Sequence, residues 1–203
     1  MAMKRIHTPD DLIACVDEYG ILPFWTAEGF SAWQMSAVDF NTLWSVREHA
    51  VNTLTIAYGR FVNKKATFVS LKVFPHLVAL RRDGYDFDSL ADEGRAPRRE
   101  IEIMNAVGCE PTPSYNLGKS LAMKGFDGAV ASLQNKTYLC LNFKKSAMGT
   151  ALLCRPEDVF GETFVRSQYG LTPEQNARAL SESVKGLSEF DEVTRKKILS
   201  VAI

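Results

Sequence analysis

Gly125-Phe126-Asp127-Gly128-Ala129-Val130-Ala131-Ser132-Leu133-Gln134-Asn135-Lys136, continuing into Thr137-Tyr138-Leu139-Cys140-Leu141-Asn142-Phe143, is the stretch that decides the fold. Phe126, Ala129, Val130 and Leu133 recur at i, i+3, i+4 and i+7, which is one face of a helix. After Lys136 the composition turns β-rich and reads as a strand. Residues 144–149 then turn the chain, and 150–154 return it as a second strand. Two helices are predicted upstream. Ile101, Ile103, Met104 and Val107 mark the first, ended by Gly108. Ser114 caps a second, which runs through Leu117, Leu121 and Met123 until Gly125 breaks it. Three helices followed by a β-hairpin is the order of a winged helix-turn-helix. The predicted fold class is therefore α+β. It has a winged-helix module at residues 96–156, an N-terminal mixed α/β part at 1–95 and a C-terminal helical segment at 157–203, all packed as one compact unit.

The flanks carry local signals of their own. Thr8-Pro9-Asp10-Asp11 opens a helix with a cap, a first-position proline and two acids at the positive helix end, and Gly20 stops it. The aromatic stretch holding Phe24, Trp25, Phe30, Trp33, Phe40 and Trp44 has no clear period and reads as turns and short strands in the core. Residues 53–58 and 66–71 are strand-like, joined by Asn63-Lys64-Lys65. Pro75 opens a short helix that Gly84 closes, with Arg81 and Arg82 in its last turn. Thr172-Pro173-Glu174-Gln175 has the pattern of a capping box. A last helix near 188–201 buries Phe190, Val193, Ile198 and Val201, and the two C-terminal helices are candidates for self-association.

Composition narrows the classes. With 46% apolar and 24% charged residues in 203, the chain is not intrinsically disordered. No apolar run approaches the roughly 20 residues that a membrane helix needs, so no membrane partner is expected. The N-terminus lacks the pattern of a signal peptide, and a cytoplasmic location is expected. Cys15, Cys109, Cys140 and Cys154 fit reduced, mostly buried thiols, with Cys140 and Cys154 facing each other across the hairpin. Scattered histidines and the lack of any C-x-x-C pair give no metal site. The glycine signatures of nucleotide sites are missing too, so no cofactor is expected.

Equal numbers of acidic and basic residues conceal a pattern. Residues 60–82 carry six basic and no acidic groups, and 119–155 carry six basic groups and one acid. If these blocks share a face, they form a positive stripe able to follow phosphates. Lys64, Lys65, Arg81, Arg82, Lys119, Lys124, Lys144 and Lys145 are the candidate phosphate contacts, and Asn135 and Lys136 flank the third helix. That helix turns Gly128, Ala131, Ser132 and Asn135 outward. It has no arginine to grip guanine, so it reads sequence poorly and favours backbone or shape recognition over a sequence-specific repressor. DNA is the expected partner. Catalytic patterns are few. Asp86-Phe87-Asp88 puts two carboxylates on one side of an extended segment, where they can hold a metal or activate water. The competing reading is a protein-interaction or regulatory module that binds no nucleic acid.

Further strings carry a resemblance. Ala57-Tyr58-Gly59-Arg60-Phe61, Lys64-Lys65-Ala66, Phe68-Val69-Ser70, Phe74-Pro75 and Arg81-Arg82-Asp83-Gly84-Tyr85-Asp86-Phe87-Asp88 occur in that order. Gly125-Phe126-Asp127 and Leu133-Gln134-Asn135-Lys136-Thr137-Tyr138 follow. Together, over about residues 57–160, this resembles the AlkZ-related bacterial proteins, distant relatives of the AlkZ/YcaQ winged-helix DNA glycosylases. The resemblance implies DNA binding and a relation to enzymes that remove alkylated purines with a Gln-x-Gln motif. At the matching place this chain has Gln134-Asn135-Lys136, so the second glutamine is missing. If it is an enzyme, the resemblance implies a monofunctional glycosylase in which Asp86 or Asp88 activates water and Gln134 orients it.

Overall fold

The computed structural model describes residues 6–24, 40–143, 151–185 and 192–199. Helices and small antiparallel sheets alternate along them, an α+β arrangement. Helix α1 (Pro9–Tyr19) starts at the expected cap. Thr8 Oγ1 accepts the Asp11 amide at 3.1 Å, and Asp11 Oδ2 accepts the Thr8 amide at 3.1 Å. Gly20, at φ 78°, turns the chain into β1 (Ile21–Pro23). Residues 25–39, which include Trp25, Phe30 and Trp33, lie outside the described residues. Where short strands and turns were expected at Trp44, the chain forms α2 (Phe40–Asn52). Val46 and Ala50, one turn apart, are both buried, and this pair sets the helical period that the aromatics obscured.

Strands β2 (Ile56–Val62) and β3 (Lys65–Ser70) form a hairpin in a sheet of order β1-β3-β2. Asn63 and Lys64 both have positive φ, 51° and 56°, as a tight two-residue hairpin loop requires. The register shifts between Gly59 and Val62, so Arg60 has no partner across the ladder. Helix α3 (Phe74–Arg82) buries every residue except His76. Asp83 in the left-handed region and Gly84 at φ 77° end it. The segment at Asp86 is not extended. Asp86 is the N-cap of α4 (Phe87–Asp92), and Asp88 sits in that helix's first turn.

Then come α5 (Arg98–Val107), β4 (Thr112–Pro113), α6 (Ser114–Leu121), α7 (Phe126–Asn135), β5 (Cys140–Phe143) and β6 (Ala151–Cys154). The second sheet has the order β4-β6-β5. This is the expected sequence of three helices and a hairpin. Helix α6 stops at Ala122, which takes φ 45°, so Met123 falls outside it. Gly118 lets α6 approach α7, since a Cβ there would lie 3.2 Å from the Phe126 ring. Val130 and Leu133 face inward as predicted, but Ala131 and Gln134 are buried as well, because α7 also packs on β2. Strand β5 starts three residues later than expected: the Thr137 and Tyr138 amides bond back to Gln134 and Leu133 carbonyls before the strand begins. The hairpin turn, with Lys144 and Lys145, lies outside the described residues.

The C-terminal part holds α8 (Pro156–Phe160), α9 (Glu162–Val165), α10 (Pro173–Ser183) and α11 (Glu192–Ile198). Thr172 and Gln175 make both bonds of the capping box. Helix α10 packs on α3. In α11, Ile198 is fully buried as predicted but Val193 is 60% exposed, and Phe190 and Val201 lie outside the described residues.

Two apolar clusters organise the interior. The first joins α1, α2, the β1-β3-β2 sheet and α3, with Leu180 from α10 and Val165 from α9. The second joins Phe87, Leu90, Ile103, Met104, Val107, Leu117, Val130, Leu133 and Tyr138. Hairpin β5–β6 separates them. Cys140, Phe143, Leu152 and Cys154 belong to the first cluster, Leu139 and Leu153 to the second. Cys140 and Cys154 are register partners, as expected, and are free thiols. Burial pushes both up, Cys154 to about 12. Cys109, by contrast, is exposed.

Candidate functional site

Arg82 stands at the junction of the two clusters with 1% of its surface exposed. Each of its three side-chain nitrogens has a protein partner. Nη2 donates to the Thr137 carbonyl at 2.6 Å and Nε to Thr137 Oγ1 at 3.3 Å. Nη1 donates to Glu157 Oε1 and, at 3.1 Å, to the Tyr169 hydroxyl. The guanidinium lies over the Tyr138 ring, 4.6 Å from its centre. Burial opposes the charge on Arg82, but Glu157 and Tyr169 outweigh it and its pKa is raised. Thr137 has φ 66°, where a β-branched residue is strained, and Arg82 grips this turn from two sides. Three elements distant in sequence, the end of α3, the α7–β5 turn and α8, are thus pinned by one side chain.

Beside this hub lies a cleft of about 190 Å³. It is small next to the roughly 300–1,000 Å³ of drug-sized ligand sites, and suits a group no larger than one ring system. Tyr138, Phe87 and Met104 supply apolar lining, and Asp86, Asp88, Glu157, Asp158 and Glu162 supply carboxylates against Arg82, Arg155 and Arg166. Asp86 is one-third exposed and paired with Arg166 at 3.1 Å. Burial raises its pKa, and the nearby Arg166 and Arg82 offset only part of that rise. Burial also raises Asp158. Arg155 donates to the Met104 carbonyl at 3.0 Å, and the Tyr138 hydroxyl donates to the Tyr85 carbonyl at 3.0 Å, with burial holding that phenol protonated. The cleft therefore carries more carboxylates than arginines, with two of them, Asp86 and Asp158, made more basic than usual.

Of the residues singled out in sequence, the structure gathers Asp86, Asp88 and Arg82 here. Gln134 is elsewhere. It is 1% exposed, and its Oε1 accepts the Arg60 amide at 2.7 Å, satisfying the donor that the β2 irregularity leaves unpaired. Arg81 is also buried. Its Nη2 donates to the Lys197 and Ile198 carbonyls at the end of α11, and burial lowers its pKa to about 10. Arg81 and Arg82 are thus interior ties rather than members of a surface stripe. Lys136 is part-buried and pairs with Glu100 at 3.1 Å, joining α7 to α5. Asn135 is half-buried at the end of α7. Lys64 and Lys65 at the hairpin tip, and Lys119 and Lys124 around α6, are exposed and form no ion pair with a described residue.

Glu157, Tyr169, Arg155 and Arg166 were not anticipated. They lie between 51 and 87 residues from the partners they reach, beyond any local pattern. Among the described residues no group of three His, Cys, Asp or Glu side chains is placed to hold a metal, and no helix is long and apolar enough to cross a membrane. Comparison with curated proteins and with solved structures returned no match. The sequence model of the AlkZ related family matches residues 6–201, far beyond the stretch that carries the resemblance, and the chain belongs to this family.

Proposed function

We propose that the protein binds DNA through its backbone and receives an extruded, alkylated purine in the Asp86 cleft, as a diverged relative of the AlkZ DNA glycosylases. Family membership supports the DNA partner. The observation that carries the site is the cleft itself, with five carboxylates against three arginines and an aromatic wall at Tyr138 and Phe87. An alkylated purine is cationic, so an acidic cleft favours it over a normal base, and the buried Tyr138 and Phe87 give the cleft an apolar lining. Asp86 is the base. Its raised pKa makes it a better proton acceptor than an ordinary carboxylate. Water adds to the sugar C1′ and gives its proton to Asp86, while the electron pair of the glycosidic bond leaves with the purine. Gln134 plays no part in this scheme, because its oxygen is engaged by Arg60. Residues 96–156 act as a winged helix that positions the duplex, helped by Lys64 and Lys65.

The test has two parts. Binding to plain and methylated duplex is followed by fluorescence anisotropy across a salt series, and base release from the methylated duplex is measured against a boiled control. The expected result is affinity that falls steeply with salt, preference for the methylated duplex, and release that Asp86→Asn removes. Binding without release leaves a sensor of damaged DNA. No binding at low salt discards the nucleic-acid reading. A second reading would then stand, a protein-interaction module, which the burial of Ala131 and Gln134 against β2 favours.

A further inference from the structure

Helix α7 has little surface left to offer a groove. Val130 and Leu133 face the module core, and Ala131 and Gln134 are buried as well. Its exposed start carries Asp127, which repels phosphate. Helix α6 is different. Tyr115 is 67% exposed, the most exposed large apolar side chain among the described residues. Lys119, one turn on, places Nζ 4.5 Å from the centre of the Tyr115 ring. Asn116 and Ser120 are exposed beside them, while Leu117, buried, and Leu121, half-buried, anchor the helix in the core. No acid occurs between Pro111 and Phe126. Lys124 is exposed in the loop after α6, and Arg99 of α5 reaches the same loop, since a Cβ on Gly125 would lie 3.3 Å from its Nη1. An aromatic ring with a cation held against it thus lies on α6, and two more cations meet at the loop that follows it.

We propose that this face of α6, rather than α7, grips the nucleic acid, with Tyr115 stacking on an unpaired base and Lys119, Lys124 and Arg99 holding the neighbouring phosphates. This rests on the DNA reading above and extends it from which partner to which form of it. Aromatic rings beside cations are the chemistry of single-strand recognition, since every base has a face to stack and every nucleotide a phosphate. The face of a paired base is covered by its neighbours, so stacking of this kind selects DNA with a gap or an unpaired stretch. Lys119 against the ring limits its motion and keeps it presented.

The experiment compares the full chain and its variants on one duplex, either intact or carrying a short single-stranded gap, by anisotropy at fixed salt. The wild type is expected to bind the gapped DNA more tightly. Tyr115→Ala is expected to lower affinity for the gapped DNA about 5- to 100-fold while leaving the intact duplex unchanged. Tyr115→Phe keeps the ring and is expected to retain the preference. Lys119→Ala is expected to weaken both substrates and reduce the salt slope by about one. Tyr115 is exposed, so its replacement leaves thermal stability unchanged and loss of binding is not loss of fold. Equal affinity of the wild type for both substrates, or gapped-DNA binding unaltered by Tyr115→Ala, overturns the assignment while duplex binding preserves the DNA reading. Absence of binding to either substrate overturns both.

Discussion

The two interior clusters are built to different rules. Around the β1-β3-β2 sheet the packing is aromatic: Phe68, Phe61 and Phe74 are fully buried, Tyr58 and Phe68 approach within 4.8 Å between ring centres, and the buried Arg47 lies over the Trp44 and Phe143 rings. The second cluster is apolar along α5 and α7, but its edge toward α8 is finished with Arg82, Tyr138, Glu157 and Asp86. Burying charges is costly unless each is paired, and hydrophobic side chains of similar volume would serve stability as well or better. The polar edge of the second cluster lines a cleft, whereas the buried Arg47 of the first is packed among rings.

That contrast can be broken at its strongest point first. Phe68→Ala, in the sheet cluster, is expected to cost about 3–5 kcal/mol by urea unfolding, since it removes a ring and leaves a cavity. It should leave any DNA affinity of the surviving folded fraction intact. Next comes Glu157→Gln, which removes the charge partner of a fully buried arginine. Arg82 keeps its Thr137 and Tyr169 acceptors, so the expected loss is about 1–3 kcal/mol. No loss would mean that the hub is not held by this pair. Thr172→Ala removes the cap of α10, which packs on α3, and is expected to cost about 1 kcal/mol.

The smallest stability effect belongs to Asp86, and its sign sharpens the comparison. Its pKa is raised on folding by burial. A group of this kind contributes stability that is fully present below the ordinary value of about 3.9 and lost as pH rises through the raised folded value. Asp86→Asn is therefore expected to gain stability relative to the wild type as pH rises through that range, measured by paired thermal melts. A variant that instead loses stability relative to the wild type over the same window would show the Arg166 pair to dominate.

Local chemistry was legible in the sequence and long-range chemistry was not. The caps at Thr8 and Thr172 lie within three residues of their partners, so both were visible as short motifs. The i, i+3, i+4, i+7 face of α7 located the module. The same helix hid its second contact, since the bond from Arg60 to Gln134 spans 74 residues and answers a register shift in β2 that no composition reveals. Arg81 and Arg82 looked like surface cations favoured by a helix end, and what drew them inside were acceptors at Thr137, Glu157, Lys197 and Ile198. Of the site, the Asp86–Asp88 string was found as a motif, but its cleft exists only because α8 and α9 return to it. The end of the aromatic stretch, at Phe40 and Trp44, was misread because large rings mark a core without declaring a period.

The hairpin β5–β6 has a consequence for any attempt to divide the protein. Alternate side chains of one ribbon fill opposite interiors, so a fragment of residues 96–156 would expose Cys140, Phe143, Leu152 and Cys154 to water. The remainder would lose a wall of its own core. Neither piece is expected to remain soluble by itself. Intact, the chain is expected to melt in one transition that tertiary and secondary probes report together, because damage on either side of the ribbon is felt on the other.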